Sequence, residues 1–206
     1  MRAAAVMAAI ICVGSMAAVP PTVRAQGLGF GAEGGVNLAT FHEDAGGETP
    51  FDFRTGVIAG GFVTWPLGSR LALQPEVLFA EAGAKATLGG GTSTQKLDYV
   101  DVPVLASYRI AGGPERHLAV FGGPAFGIRV RATSEASFGG GSTLEMDVSD
   151  QVTRTNLSVV GGLAYHRGRL VVDGRYSWGL SDIDKDTTDN IKINMREMSF
   201  MAGWRF

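Results

Sequence analysis

One stretch of the chain decides the fold: Val100-Asp101-Val102-Pro103-Val104-Leu105-Ala106-Ser107-Tyr108-Arg109-Ile110. Every second residue from Val100 to Ile110 is apolar or aromatic, whereas Asp101, Ser107 and Arg109 lie at alternate positions. This period of two indicates a β-strand with one apolar and one polar face. Its 11 residues match the length of about 9–11 residues that a tilted strand needs to cross a bilayer.

The same alternation recurs in seven other segments, and their polar faces carry charges of both signs. These segments are residues 28–38, 53–65, 71–79, 118–130, 157–165, 170–180 and 198–206. Together they predict an all-β domain of eight antiparallel strands. Alternation alone leaves two architectures open, because a soluble barrel buries its apolar face and a membrane barrel exposes it to lipid.

The connections between these segments favour the membrane barrel. Long connections at 42–50, 85–95, 132–150 and 181–190 alternate with short ones near Pro66–Ser69, Ala111–Glu115 and Arg167–Gly168. Long loops at one end and tight turns at the other are typical of outer-membrane barrels, with the turns and both termini in the periplasm. Loops 85–95 and 132–150 are rich in glycine, serine and threonine, and we expect them to be mobile.

The aromatic residues indicate two belts at the membrane surfaces. Those beside the short turns or the C-terminus are Trp65, Tyr108, Tyr165, Trp204 and Phe206, and those near the long loops are Phe41, Phe79 and Trp178. Aromatic girdles of this kind flank the apolar band of membrane barrels. The sequence therefore predicts an eight-stranded antiparallel up-and-down transmembrane β-barrel with a polar interior.

The N-terminus has the parts of a secretory signal peptide. Arg2 precedes an uncharged apolar run from Ala3 to Ala18, and a small-residue cleavage site follows at Val23-Arg24-Ala25. We expect residues 1–25 to be the signal peptide and residues 26–206 to be the barrel domain. Cys12, the one cysteine, lies in the signal, so the mature chain has no disulfide, thiol nucleophile or cysteine-ligated metal.

Charge and motifs exclude several classes of function. Without residues 1–25 the chain has 16 basic and 20 acidic residues, and no basic stripe predicts nucleic-acid binding. His42, His117 and His166 lack metal-ligand spacing, so three unrelated surface or rim histidines are predicted, with no metal and no cofactor. The acidic run Asp182, Asp184, Asp186 and Asp189 lacks the glycine and glutamate of a calcium loop, and a solvated loop is expected.

Two further motifs carry no chemistry here. Gly29 to Gly34 matches the dinucleotide pattern G-x-G-x-x-G, but a strand continues where the pattern needs a helix. No nucleophile–base–orienter set is present, and His42 with the neighbouring Glu43 and Asp44 is the one candidate near the predicted long loops. We therefore expect a protein that is not an enzyme.

The charges on the inward faces are the main functional candidates. They are Glu33, Glu76, Asp101, Arg109, Arg129, Arg131, Asp173, Arg175, Glu197 and Arg205. Eight strands enclose an interior just wide enough for side chains, and buried charges must be paired. The expected arrangement is a salt-bridge network that fills the barrel, and the alternative is a narrow aqueous passage.

Several motifs resemble one family. Gly34-Gly35-Val36-Asn37-Leu38-Ala39-Thr40, Leu73-Gln74-Pro75-Glu76-Val77-Leu78, Leu97-Asp98-Tyr99-Val100-Asp101-Val102-Pro103-Val104, Phe121-Gly122-Gly123-Pro124 and Arg175-Tyr176-Ser177-Trp178-Gly179-Leu180-Ser181-Asp182-Ile183 are similar to PorT-like outer-membrane β-barrels, in order along the mature chain. Phe206, with Phe200, Ala202 and Trp204 on the same face, resembles the C-terminal signal that the barrel-assembly machinery recognises. The resemblance implies an integral outer-membrane barrel without one defined activity.

Three functions remain open from the sequence. The leading one is a structural or surface-interaction barrel, a plausible monomer, whose partners are outer-membrane lipids and, during biogenesis, the assembly machinery. The second is a narrow porin-like channel for small solutes. The third is a soluble periplasmic ligand-binding barrel.

Overall fold

The computed structural model describes residues 27–43, 51–88, 91–138, 142–148, 152–181 and 193–206. These residues form nine β-strands, and no helix in this part of the chain is long and apolar enough to cross a membrane. The strands are β1 (Gly29–Glu43), β2 (Phe51–Pro66), β3 (Leu71–Leu88), β4 (Gly91–Gly112), β5 (Arg116–Phe138), β6 (Ser142–Asp147), β7 (Thr155–Arg167), β8 (Leu170–Gly179) and β9 (Ile193–Arg205). The predicted signal peptide and the run Asp182 to Asp189 lie outside the described residues.

Eight of the strands close into an antiparallel up-and-down barrel. β1 pairs with both β2 and β9, and the order continues through β3, β4, β5, β7 and β8 back to β9. β6 stands outside this cycle, because it pairs with β5 alone in the described part of the chain. The predicted eight-stranded barrel is confirmed, and β6 is an added strand.

The short turns lie where the sequence predicts them. β2 and β3 are joined through 67–70, β4 and β5 through 113–115, and β7 and β8 through 168–169. Gly168 has a positive φ of 61°, a left-handed conformation that glycine adopts without steric cost. We call this end of the barrel the turn end and the opposite end the loop end.

The barrel exposes its apolar residues and buries its polar ones. Along β7 and β8 the two classes alternate residue by residue, so that Leu163 is 52% exposed and the charged Asp173 only 5%. The aromatic side chains beside the short turns and the C-terminus point outward as well, with Trp65 56% and Trp204 49% exposed. This inverted polarity is that of a membrane barrel and excludes a soluble barrel with an apolar core.

Two of the predicted loops are regular strand instead. β3 continues to Leu88 and β4 begins as early as Gly91. The two strands stay paired along this stretch, from Glu81↔Asp98 to Leu88↔Gly91. β5 likewise runs to Phe138 and adds β6. The irregular loops expected at 85–95 and 132–150 are therefore mostly a hydrogen-bonded sheet. We call this sheet, made of residues 81–88, 91–98, 131–138 and 142–147, the extension.

One of the three aromatic residues predicted to form the belt near the long loops lies inside the barrel instead. Phe41 is 7% exposed and packs inside the barrel, whereas Phe79 and Trp178 point outward. Phe41 points inward because side chains alternate between the two faces of a strand. It has the parity of the buried Asn37, and the exposed Val36 has the other parity.

Candidate functional site

The centre of the barrel holds one guanidinium surrounded by three carboxylates. Arg175 on β8 donates from Nη1 to Glu76 at 2.6 Å, from Nε to Asp173 at 2.9 Å and from Nη2 to Glu33 at 3.5 Å. The side chains of all four are at most 4% exposed. Because removing charges from water is costly, this cluster depends on its mutual pairing.

Polar neighbours complete the hydrogen bonding of the cluster. Gln74 donates from Nε2 to the second carboxylate oxygen of Glu76 at 2.9 Å, and Thr64 donates to the Gln74 side-chain oxygen at 3.4 Å. The Arg175 guanidinium also lies 5.2 Å from the centre of the Phe121 ring. A charged group over an aromatic face gains a further cation–π attraction.

A second polar group lies around Asn37 on β1. Asn37 donates from Nδ2 to Glu197 Oε1 and to the Glu81 backbone carbonyl, both at 3.1 Å. Its Oδ1 accepts from the Ser199 hydroxyl at 2.9 Å. Asp101 interacts electrostatically with Glu197. Asp101 and Glu197 are among the predicted interior residues, whereas Asn37 was not predicted as part of a site, although it shares the inward parity of Glu33.

An apolar layer lies between the central cluster and the turn end. Phe62, Ala164 and Val171 are at most 5% exposed and pack together, with Phe121 against them. Phe62 occupies this position because Gly31, on the neighbouring strand, has no side chain; a Cβ there would overlap the Phe62 ring. Gly31 of the G-x-G-x-x-G pattern thus makes room for Phe62 of β2, and β1 continues as a strand beyond the pattern.

The loop end of the interior is closed by a larger apolar cluster. Val148 and Val152, from the connection between β6 and β7, are both 7% exposed. They belong to the same cluster as Phe41, Tyr99 and Met195. Val148 and Val152 therefore pack over the loop end of the interior.

The turn end contains a basic group that combines the predicted Arg109 and Arg205 with two histidines that were not predicted to form a site. His117 and His166 are directly paired across β5 and β7, and their rings stack with centroids 4.3 Å apart and planes 12° apart. Arg109 and Arg205 interact electrostatically with both imidazoles. The prediction of unrelated histidines is wrong for these two, because strand pairing brings together residues far apart in sequence. Parity alone places them on the inward face, but not beside each other.

One predicted interior charge lies on the outside. The Arg131 side chain is 57% exposed and lies 3.5 Å from the Glu145 carboxylate of β6. The register between β4 and β5 shifts here. Asp98 pairs with Arg131 and the next residue, Tyr99, pairs with Arg129, so that Val130 has no partner on β4. Such a β-bulge reverses the facing of the residues beyond it. Arg129, before the bulge, stays half-buried on the inward side near Tyr99.

The residues of the predicted C-terminal assembly signal lie on the outer surface of the barrel. Phe200 is 51%, Trp204 49% and Phe206 79% exposed, so the proposed C-terminal signal forms an outward apolar row. Within the described ranges, no group of three or more histidine, cysteine or acidic residues is placed to hold a metal ion.

Comparisons with known proteins agree with this architecture. The family model described as outer membrane protein beta-barrel domain matches residues 23–185. The chain is similar to the solved structure of Ail, the attachment invasion locus protein of Yersinia pestis, in complex with the heparin analogue sucrose octasulfate, with a TM-score of 0.50 and 15% identity over 88% of this chain and 100% of that one. Neisserial surface protein A gives a TM-score of 0.50 and 13% identity over 88% and 100%. These likenesses concern the fold alone, and a comparison with curated proteins gave no match.

Proposed function

This chain belongs to the outer membrane protein beta-barrel domain family, and from that premise we propose that it is a closed barrel that presents its extension to a partner at the cell surface. As an integral outer-membrane protein it contacts lipid through its apolar outer face. The observation that carries the proposal is the extension, a sheet that continues beyond the membrane-crossing strands.

The extension has the features of a recognition surface. Leu144 and Met146 on β6 are 57% and 56% exposed, on the face of the sheet that they share with Ala136 and Ser134. In the barrel strands the corresponding face of the sheet points into the barrel and is buried. At β6 the same face lies beyond the barrel interior, so Leu144 and Met146 are exposed. β6 is also an edge strand in the described part of the chain, and edge strands accept an added strand from a partner. A protein segment in extended conformation fits this surface.

Opposite-sign pairs support a defined shape for the extension. Lys96 on β4 forms an ion pair with Glu135 on β5, and Arg131 pairs with Glu145 on β6. Exposed pairs contribute little to stability, but opposite charges on neighbouring strands add to the cross-strand interactions that hold those strands together. The extension therefore offers a partner an ordered sheet.

The filled interior supports a barrel without a pore. The basic group, the apolar layer, the Arg175 cluster, the Asn37 group and the loop-end cluster follow one another along the interior. We therefore expect refolded residues 26–206 to give no stepwise conductance in planar bilayers, with a trimeric porin as the positive control. Discrete, reproducible current steps would support the narrow-channel alternative instead.

Four further proposals rest on the sequence alone. We propose that the chain is exported through its signal peptide and inserted by the assembly machinery through Phe200, Trp204 and Phe206. We also propose that it is a monomer and that it is similar to PorT-like barrels. The absence of enzymatic activity is likewise a proposal that rests on the sequence, in which no nucleophile–base–orienter set is present. No nucleic-acid partner is proposed.

A pair of cysteine variants tests the surface role. Because the expected mature chain has no cysteine, Leu144→Cys in β6 and Leu67→Cys in a turn each introduce a unique thiol. The two leucines are matched in exposure, at 57% and 55%. On intact cells, a membrane-impermeant maleimide should label the protein at position 144 and not at position 67, and permeabilised cells should allow both.

The same variants report on a partner. With a photoreactive maleimide attached, position 144 should give a discrete cross-linked species on cells and position 67 should not. Surface labelling at 144 without any cross-link would leave the barrel assignment intact and contradict the interaction role. Labelling at 67 on intact cells would show the opposite orientation in the membrane.

A further inference from the structure

The basic group at the turn end has no acidic partner in the described part of the chain. Arg109 on β4, His117 on β5, His166 on β7 and Arg205 on β9 converge from four strands, and no carboxylate of the described ranges forms an ion pair with any of them. This contrasts with the central cluster, in which three carboxylates surround Arg175. The interior charges are therefore paired at the centre and unpaired at the turn end.

Several side-chain nitrogens in this group lack hydrogen-bond partners in the described structure. His166 is 7% exposed, and its Nδ1, the Nδ1 of His117 and the Nε of Arg109 are buried without a partner in the described structure. Arg205 donates from Nη2 to the Gly168 carbonyl at 2.9 Å. A buried polar atom without a partner costs about 1–3 kcal/mol, so a group that accepts several hydrogen bonds here would be stabilising.

The surrounding turns carry further positive charge. Arg70, Arg116, Arg167 and Arg169 lie in or beside the three turns, where Glu115 is the one acidic residue. A cleft of about 390 Å³ lies between the first two turns and is lined by Ser69, Arg70 and Arg109 among others. Arg109 thus borders both the cleft and the stacked imidazoles. The apolar layer of Phe62 and Val171 lies beyond them toward the centre of the barrel.

From this arrangement we propose that the turn end of the barrel binds an oxyanion of the phosphate class, held by Arg109, His117, His166 and Arg205. Phosphate oxygens accept several hydrogen bonds at once, and guanidinium and imidazole groups supply matching donors. The ligand enters from the side of the turns and is stopped by the apolar layer. The chemistry is shared by free phosphate and by the headgroup of a phospholipid in the adjoining leaflet.

The three histidines make a direct test possible. An untagged protein, refolded in a nonionic detergent, is titrated with inorganic phosphate at constant ionic strength, and the ring signals of its histidines are followed by NMR. We expect saturable shifts for His117 and His166, and none for His42 at the loop end. Chloride at the same ionic strength should leave all three unchanged. The absence of a saturable shift at His117 and His166 would overturn the proposal.

Matched variants separate a site from diffuse attraction. Arg109→Gln or Arg205→Gln should weaken phosphate binding about tenfold or more, as expected for the loss of a hydrogen bond to a charged group. Arg116→Gln removes an exposed arginine of the same end that is not among the four proposed ligands, and it should weaken phosphate binding far less than Arg109→Gln does. Equal weakening by Arg116→Gln would overturn the proposal, since it indicates attraction by net charge alone. If Arg109→Gln does not refold, Arg109→Lys and Arg205→Gln provide the same comparison.

Nanodiscs distinguish the two sources of phosphate. If a headgroup fills the site, nanodiscs of phosphatidylglycerol should give the shifted His117 and His166 signals before phosphate is added, and added phosphate should change little. If the ligand is free phosphate, the nanodisc spectrum should match the detergent spectrum until phosphate is added. Either result supports the oxyanion site and identifies where its ligand comes from.

Discussion

Replacement of Arg175 by methionine is expected to abolish or severely destabilise the folded barrel. Arg175 is the one cation among Glu33, Glu76 and Asp173, and all four side chains are buried. Removing one partner of a buried ion pair typically costs about 3–5 kcal/mol, because the remaining charge stays buried and uncompensated. Here three carboxylates lose their common partner, and a domain has only about 5–15 kcal/mol of stability to lose.

Heat-modifiability on gels and urea unfolding in lipid vesicles measure this effect. Arg167→Met, at an exposed arginine beside a turn, is the matched control and should fold normally. Adding Glu33→Gln and Glu76→Gln to Arg175→Met should restore much of the folded fraction, since the uncompensated charge is then reduced. If Arg175→Met had the same urea midpoint as Arg167→Met, the cluster would not contribute to the stability of the barrel.

The second large effect is expected where Gly31 faces Phe62. An alanine Cβ at position 31 would overlap the Phe62 ring, which is 4% exposed and packed with Ala164, Val171 and Phe121. Overpacking of this kind costs about 1–3 kcal/mol. Phe62→Ala alone should cost about 3–5 kcal/mol, because it leaves a cavity in the apolar layer.

A double-mutant cycle makes the cause visible. In the Phe62→Ala background, Gly31→Ala should become neutral or stabilising, because the added methyl group then enters free space. Gly161→Ala is the control, since a Cβ there makes only ordinary contact with the Phe121 carbonyl oxygen, at 3.9 Å. Equal destabilisation by Gly31→Ala with and without Phe62 would show that the strand backbone, and not the ring, requires glycine.

The stacked histidines show how far the site could be predicted. Period-two parity places His117 and His166 on the inward face, but their contact depends on the pairing of β5 with β7. The same limit applies to Arg175, whose partners Glu76 and Glu33 are 99 and 142 residues away in sequence. Parity also places Phe41 inside, so that error was avoidable from the sequence.

The sequence by itself determined the eight barrel strands, the facing of nearly every side chain and the three short turns. These features are local, since the strand period is set by the backbone and the turns by the residues within them. Only the tertiary structure decided which inward groups meet, because barrel closure and register are properties of the whole sheet. It also decided that the bulge opposite Asp98 turns Arg131 outward, and that the segments expected as loops continue as the extension, since both depend on pairing between strands.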